Sequence, residues 1–326
     1  MARSSVGVGD LATFLGRVSV GAASFERVSW SCVGVRWGEV GPRLRWVGGE
    51  GAERESALVR GRPIAFRVVG VRRCPGVWRG GRWVSCGERA VVPGRSTRGQ
   101  CDGCARVDRA HSVAADTFLD DPRPYHVYLA WFGDGLVKVG ITGVHRGADR
   151  LLEQGAVAFS WLGAGPLMAA RRAEELLRAA LRVPDRIPYV AKRAVRAELP
   201  GQGHRAAELT RLHRTARALD GWPESLEPLP CAVVDHGAVF GLDGLVPASG
   251  VVTELVTDAV VRGRLLAVAG PDLHLDVARS PDDDAPHVVV LDSRLMKGWS
   301  LVADDGLPGH ITLPVRDVSA VQKELF

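Results

Sequence analysis

The stretch YHVYLAWFGDGLVKVGIT, residues 125–142, constrains the fold more than any other part of this 326-residue chain. Two aromatic and β-branched runs, 126–132 and 136–141, flank Gly133-Asp134-Gly135. Runs of that kind joined by a glycine-bearing turn predict a β-hairpin. Its register decides which side chains meet. A two-residue Asp-Gly turn pairs Tyr128 with Ile141 and sends Lys138 to the other face. A three-residue turn with a left-handed Gly135 pairs Phe132 with Leu136, and Tyr128, Lys138 and Gly140 then share a face. The second register is preferred, because a lysine in an apolar strand is costly unless it lines a polar site. Gly140 either leaves room for backbone or ligand to approach or marks a bulge.

Gly165-Pro166 predicts a helix start, with the proline at the first helical position. The helix runs through LMAARRAEELLRAALRV and stops near Pro184. Leu167, Ala170, Glu174, Leu177 and Leu181 form one apolar stripe at helical spacing, which Glu174 interrupts. A carboxylate on that stripe needs a partner. A metal ion is one; a buried ion pair with Lys138 or Arg150 is the alternative. Between hairpin and helix, ADRLLEQG predicts a short helix carrying Arg150. Arg150, or its competitor Arg146, is suited to bracing a phosphate as negative charge grows; the alternative is plain solvent exposure.

Of six cysteines, four fall close together: Cys74, Cys86, Cys101 and Cys104. Four thiolates complete a tetrahedral zinc shell, closed and therefore structural. The segment PGVWRGGRWVS between the first two predicts a hairpin that brings them together. A redox CxxC usually opens a helix after a strand. Here the flanks RGQ and ARVDR are read as loop, which favours zinc. Arg72, Arg73, Arg79, Arg82, Arg95 and Arg98 in this module are candidates for phosphate contact or plain surface. Cys32 and Cys231 read as core residues.

Net charge is +5, with pI ≈ 9.1. From Cys231 onward there are 14 acidic against 7 basic residues, so the remainder carries +5 − (−7) = +12. A basic body with an acidic C-terminal third implies different partners for the two parts, and nucleic acid suits the first. No run approaches the ~20 apolar residues that span a bilayer. Asp10 and Arg17 interrupt the N-terminal stretch, which excludes a signal peptide. A cytoplasmic protein with reduced thiols and no membrane partner is expected.

Strands are predicted in VSWSCVGVRW and PIAFRVVGV, a linker at Asp120-Asp121-Pro122-Arg123-Pro124, and a second helix over HRAAELTRLHRTARAL. Short Val/Leu runs from Leu229 on predict an antiparallel β region, in which Asp282-Asp283-Asp284 reads as an exposed loop, with an ion contact as the alternative. His236, His274, His287 and His310 lack ligand spacing. The fold class expected is α+β. Its parts are an N-terminal β region (1–71), a four-Cys zinc module (72–120), a small sheet with helices (121–228) and a C-terminal acidic β region (229–326).

Residues 125–184 resemble the GIY-YIG nuclease domain. VYL stands for its first motif and keeps Tyr128, but His126 replaces the motif's glycine. KVG stands for the second and keeps Gly140, with Lys138 in place of the tyrosine. Arg150 and Glu174 match the family's arginine and metal-binding glutamate by order and setting. The cysteine cluster ahead of the hairpin, with the stretch from Arg150 to Ala156, also resembles a group of uncharacterised bacterial proteins of this layout.

The resemblance implies a metal-dependent endonuclease acting on DNA or RNA. Tyr128 takes a proton from the attacking water and Lys138 lowers its pKa. Glu174 holds Mg²⁺ or Mn²⁺, and Arg150 braces the non-bridging oxygens. Gly140, Thr142, Arg146 and Gln154 are implied substrate contacts. The alternative is a zinc-stapled module that binds nucleic acid without cutting it. A protein-interaction scaffold leaves the +12 body unexplained, and no protein partner is implied.

Overall fold

The structure is a computed structural model that describes residues 30–48, 52–110, 123–277, 286–304 and 309–318. The N-terminal stretch read for a signal peptide, the Asp120-Asp121-Pro122 part of the linker and the Asp282-Asp283-Asp284 tract lie outside them. The chain is mixed α+β and divides into two compact units. One comprises Met1–Ala110 with Ala248–Phe326; the other is His111–Pro247. No described helix is long and apolar enough to cross a membrane.

The first unit opens with β1 (Ser31–Arg36), β2 (Arg43–Val47), β3 (Glu53–Ala57), β4 (Pro63–Val69), the short hairpin β5 (Val77–Arg79) and β6 (Arg82–Val84), and α1 (Asp102–Ala110). The second holds β7 (Tyr125–Trp131), β8 (Val137–Gly143), α2 (Asp149–Gln154), β9 (Ala158–Gly165), α3 (Leu167–Leu181), α4 (Tyr189–Val195), α5 (Gln202–Arg217), β10 (Glu227–Pro228), β11 (Val233–Asp235) and α6 (Gly237–Phe240). The chain then returns to the first unit with β12 (Gly250–Val252), β13 (Val260–Ala269), β14 (Asp272–Asp276), β15 (Val288–Asp292), α7 (Ser293–Met296), β16 (Ser300–Ala303), β17 (His310–Ile311) and β18 (Val315–Asp317).

In the first unit, N-terminal and C-terminal strands interleave in one sheet, ordered β18-β12-β15-β14-β13-β4-β16-β1-β2-β3, with β17 also on β13. Strands from the two terminal regions alternate within this one sheet. β4 pairs with β13 on one side and β16 on the other. The indole of Trp37 donates to the Gly270 carbonyl at 3.0 Å and ties the two halves together. β12 and β15 run parallel, an exception to the expected antiparallel pattern. Cys32 is fully buried, as expected, but Cys231 is exposed. That correction has a plain cause: Cys231 lies in the connection between β10 and β11, outside any regular element.

The second unit is built on a sheet ordered β10-β9-β7-β8, with β11 also on β9. Its hairpin has the three-residue turn: Phe132 donates its amide to Leu136 at 2.9 Å, and Gly135 sits at φ +66°. Tyr128 pairs with Gly140, and Ala130 with Lys138. β9 covers the other edge of β7, with a bulge between Val127 and Tyr128. Pro166 caps α3 rather than occupying its first helical position. Residues 229–247, assigned from sequence to the C-terminal region, lie in this unit, where β11 pairs with β9.

Candidate functional site

Two clusters of chemistry-bearing side chains stand out, one in each unit. In the first unit, Gly80 and Gly81, both at positive φ, close the β5–β6 hairpin. Pairing of Val77 with Val84 brings Cys74 and Cys86 together. Gly76 is required there: at φ +99°, an added Cβ would lie 2.8 Å from the Cys86 amide nitrogen and closer still to the Val84 carbonyl. The second pair opens α1, so the CDGC segment is helical where a loop was expected. The Cys104 amide points at the Cys101 sulfur, 3.5 Å away.

The four sulfurs lie within 4.8 Å of one another, and Cys86 Sγ and Cys101 Sγ are 3.9 Å apart. A tetrahedron of ~2.3 Å Zn–S bonds has edges of about 3.8 Å. The four cysteines are therefore placed to hold a zinc ion in a closed, structural shell. That the CxxC opens a helix does not restore the redox reading, because the other two thiols complete the set.

Arg72 is no phosphate contact. It is buried, and its guanidinium donates to the carbonyls of Pro93, Ser96, Arg294 and Lys297 at 2.6–3.1 Å. Burial pulls its pKa down to about 10. It clasps the cysteine module to the rest of its unit. Arg73 donates to the Arg89 carbonyl and Arg98 pairs with Asp102.

In the second unit, the hairpin register places Tyr128, Ala130, Lys138, Gly140 and Thr142 on one face. Tyr128 and Phe159 belong to a core cluster with Leu151 of α2. Gly140 is explained by Tyr128 itself: an added Cβ would lie 2.9 Å from Tyr128 Cε2 and closer still to Cζ and the hydroxyl. The space left by the missing side chain is filled by the tyrosine ring.

Tyr128 is only 2% exposed, and its hydroxyl accepts a hydrogen bond from Gln154 Nε2 at 3.0 Å. Gln154 is in turn held from behind, where Lys192 donates to its backbone carbonyl at 3.0 Å. Gln154 thus positions the tyrosine. Thr142 is buried opposite His126, whose ring stacks on Trp161 at 4.3 Å between centroids.

Electrostatics corrects one expectation. The Tyr128 pKa is raised rather than lowered: burial outweighs the opposing pull of the Gln154 hydrogen bond and of Arg150. The Lys138 ammonium lies 5.7 Å from the tyrosine ring centroid and donates to the Asp185 carbonyl at 3.0 Å. Burial, reinforced by Arg150, pulls the Lys138 pKa down to about 8, against the pull of Glu174 and Asp185.

Glu174 is half-buried on α3, and burial raises its pKa while Lys138 pulls it down. It makes no hydrogen bond or ion pair within 4 Å among the described residues, so the alternative of a buried pair with Lys138 or Arg150 is not what these residues form. Leu167, Ala170 and Leu177 of its stripe are buried. Arg150 and Arg146 both reach Glu153, at 3.7 and 2.7 Å. Arg150 stays about half exposed, with its field falling on Tyr128 and Lys138.

The structure brings Tyr128, Lys138, Arg150 and Glu174 into one electrostatic neighbourhood with Gln154, and adds Lys192 and Asp185. Lys192 gave no sequence signal, since it sits in a helix that periodicity did not reveal. No curated protein and no solved structure matches the chain. Residues 61–301 match the family model described as Protein of unknown function (DUF2797), and the chain belongs to that family.

Proposed function

We propose that the second unit is a divergent nuclease of the GIY-YIG type that hydrolyses phosphodiester bonds in DNA or RNA. One observation carries this reading. Tyr128, Lys138, Arg150 and Glu174 come from four different elements, yet Arg150 and Glu174 both bear on the protonation of Tyr128 and of Lys138. A half-buried carboxylate with no partner among the described residues, beside a lysine of depressed pKa, is the arrangement expected of a catalytic site more than of a structural ion pair.

The roles shift from those the resemblance implies. Lys138, at about 8, is the better proton acceptor near neutral pH, and Tyr128 acts as a neutral hydroxyl. Gln154 donates to the tyrosine oxygen, which leaves the hydroxyl proton to be offered elsewhere. Arg150 braces non-bridging oxygens from the exposed side. Glu174 fits a hard divalent cation, because no described residue claims its carboxylate and one carboxylate with waters and substrate phosphate is a common Mg²⁺ donor set. Mg²⁺ or Mn²⁺ there would neutralise charge on the phosphate and leaving oxygen.

A second reading has its own support. Tyr128 is sealed and its ring fills the space over Gly140. A face that cannot admit substrate to the tyrosine would bind nucleic acid without cutting it. Incubating single- and double-stranded DNA and RNA with Mg²⁺ or Mn²⁺, wild type against Glu174→Ala, separates the two. Cutting that disappears in the variant supports the nuclease; salt-sensitive binding with no cutting supports the binding module.

A further inference from the structure

The tip of the β7–β8 hairpin carries a third cluster, separate from both sites above. Asp134 stands at the centre of the Gly133-Asp134-Gly135 turn. His204 lies in the first turn of α5, and Glu208 follows one turn later on the same helix face. One ligand atom from each lies within 4.8 Å of the others. We infer that Asp134, His204 and Glu208 form a binding site for a transition-metal dication of the Zn²⁺ class, which clamps the hairpin tip to α5.

Three observations support it. First, the separation between His204 Nε2 and Asp134 Oδ1 is 3.3 Å. That is long for an N–H···O hydrogen bond. It matches the edge of about 3.4 Å expected between ligands on a tetrahedral zinc with ~2.0–2.1 Å bonds. Second, neither carboxylate has a lysine or arginine partner within 4 Å among the described residues, so two negative charges lie close together beside a single imidazole. A dication resolves that repulsion.

Third, the ligands are held in place. The Trp131 indole donates to Glu208 Oε2 at 2.6 Å, which fixes the carboxylate and leaves its other oxygen for a metal. The turn carrying Asp134 is fixed too. Leu136 donates its amide to Gly133 at 2.9 Å, and Gly133 packs so closely on Val195 that an added Cβ would lie 2.6 Å from its Cγ2. An imidazole with two carboxylates suits Zn²⁺, Co²⁺ or Ni²⁺ better than Mg²⁺ or Ca²⁺, which take oxygen ligands. Three protein ligands leave a solvent-facing position for water.

The test is metal stoichiometry on the full chain, stripped with a chelator and titrated with Zn²⁺ and, separately, Co²⁺. Wild type is expected to bind two ions per chain, one at the four cysteines and one at the hairpin tip. His204→Ala and Asp134→Asn, both at exposed side chains, are expected to bind one and to keep the thiolate-to-cobalt absorption of the cysteine site. Zinc should raise the unfolding temperature of the wild type more than that of His204→Ala. Equal stoichiometry in wild type and His204→Ala overturns the site. So does displacement of the second ion by Mg²⁺ at equal concentration, which marks an unselective acidic patch with a plain histidine–carboxylate pair.

Discussion

The cysteine cluster and the Tyr128–Glu174 cluster are both assembled from residues far apart in sequence, but they end in opposite states. The four sulfurs satisfy one another's geometry and leave nothing for a substrate, within 4.8 Å and on a hairpin and a helix start. In the second unit, Tyr128 is satisfied by Gln154 and Lys138 by the Asp185 carbonyl, while Glu174 is satisfied by nothing described. A closed set supplies folding energy; an open one keeps a charge in reserve. The physical difference is between soft ligands placed to saturate a metal and a half-desolvated carboxylate whose raised pKa records its burial.

The largest effect that could break this contrast is at the cysteines. Cys101→Ser is expected to release zinc and unfold residues 72–110, because a structural zinc contributes on the order of 10 kcal/mol to modules of this size. Metal analysis with limited proteolysis checks it; unchanged zinc content would make the cluster a set of ordinary thiols. Next is Glu174→Ala. It is expected to abolish Mg²⁺-dependent cutting while leaving thermal stability unchanged or slightly higher, since a desolvated, unpaired carboxylate is removed. A marked fall in melting temperature would instead make Glu174 a structural group.

Lys138 gives a pH signature. Its folded pKa, about 8, lies below the ordinary 10.5, so the cost of burying the ammonium is present in full below pH 8 and fades as pH rises toward 10.5. Lys138→Met should therefore gain most on the wild type below pH 8. The stability difference should change by up to about 3 kcal/mol across that window, read by urea titration. A difference independent of pH would mean that the lysine is not desolvated. If Lys138 is the base, wild-type cleavage also rises as pH passes through about 8.

Gly140→Ala sharpens the contrast at smaller scale. The new methyl meets the Tyr128 ring, and overpacking of that kind costs roughly 1–3 kcal/mol. Smallest is Tyr128→Phe, which leaves the Gln154 amide without its acceptor and is expected to cost about 1 kcal/mol. A stability loss confined to Gly140→Ala places the ring as packing; a loss of cutting in Tyr128→Phe at unchanged affinity places the hydroxyl in the chemistry.

Much of the site was legible because each of its residues stands out in a local pattern. The hairpin register follows from the cost of burying Lys138, and Glu174 stood out against its own helical stripe. Cys74 and Cys86 came together through a Gly-Gly hairpin that the intervening sequence announces. β9 was missed: AFSWLGAG carries no β-branched residue and takes its strand from pairing with β7 on one edge and with β10 and β11 on the other. α1 was missed because CDGCARVDRA is short and polar, with glycine in its first turn. Asp134 stands seventy positions before His204, and no spacing rule connects a turn to a helix that far on.

By itself the sequence determined period, register and the identity of the odd residues, since these depend on neighbours a few positions away. Only the tertiary structure decided that the Tyr128 pKa goes up while that of Lys138 goes down, that Gly140 serves the tyrosine ring, and that Arg72 is a clasp rather than a phosphate contact. Each of those outcomes is set by desolvation and close packing, which depend on what the rest of the chain lays over a residue.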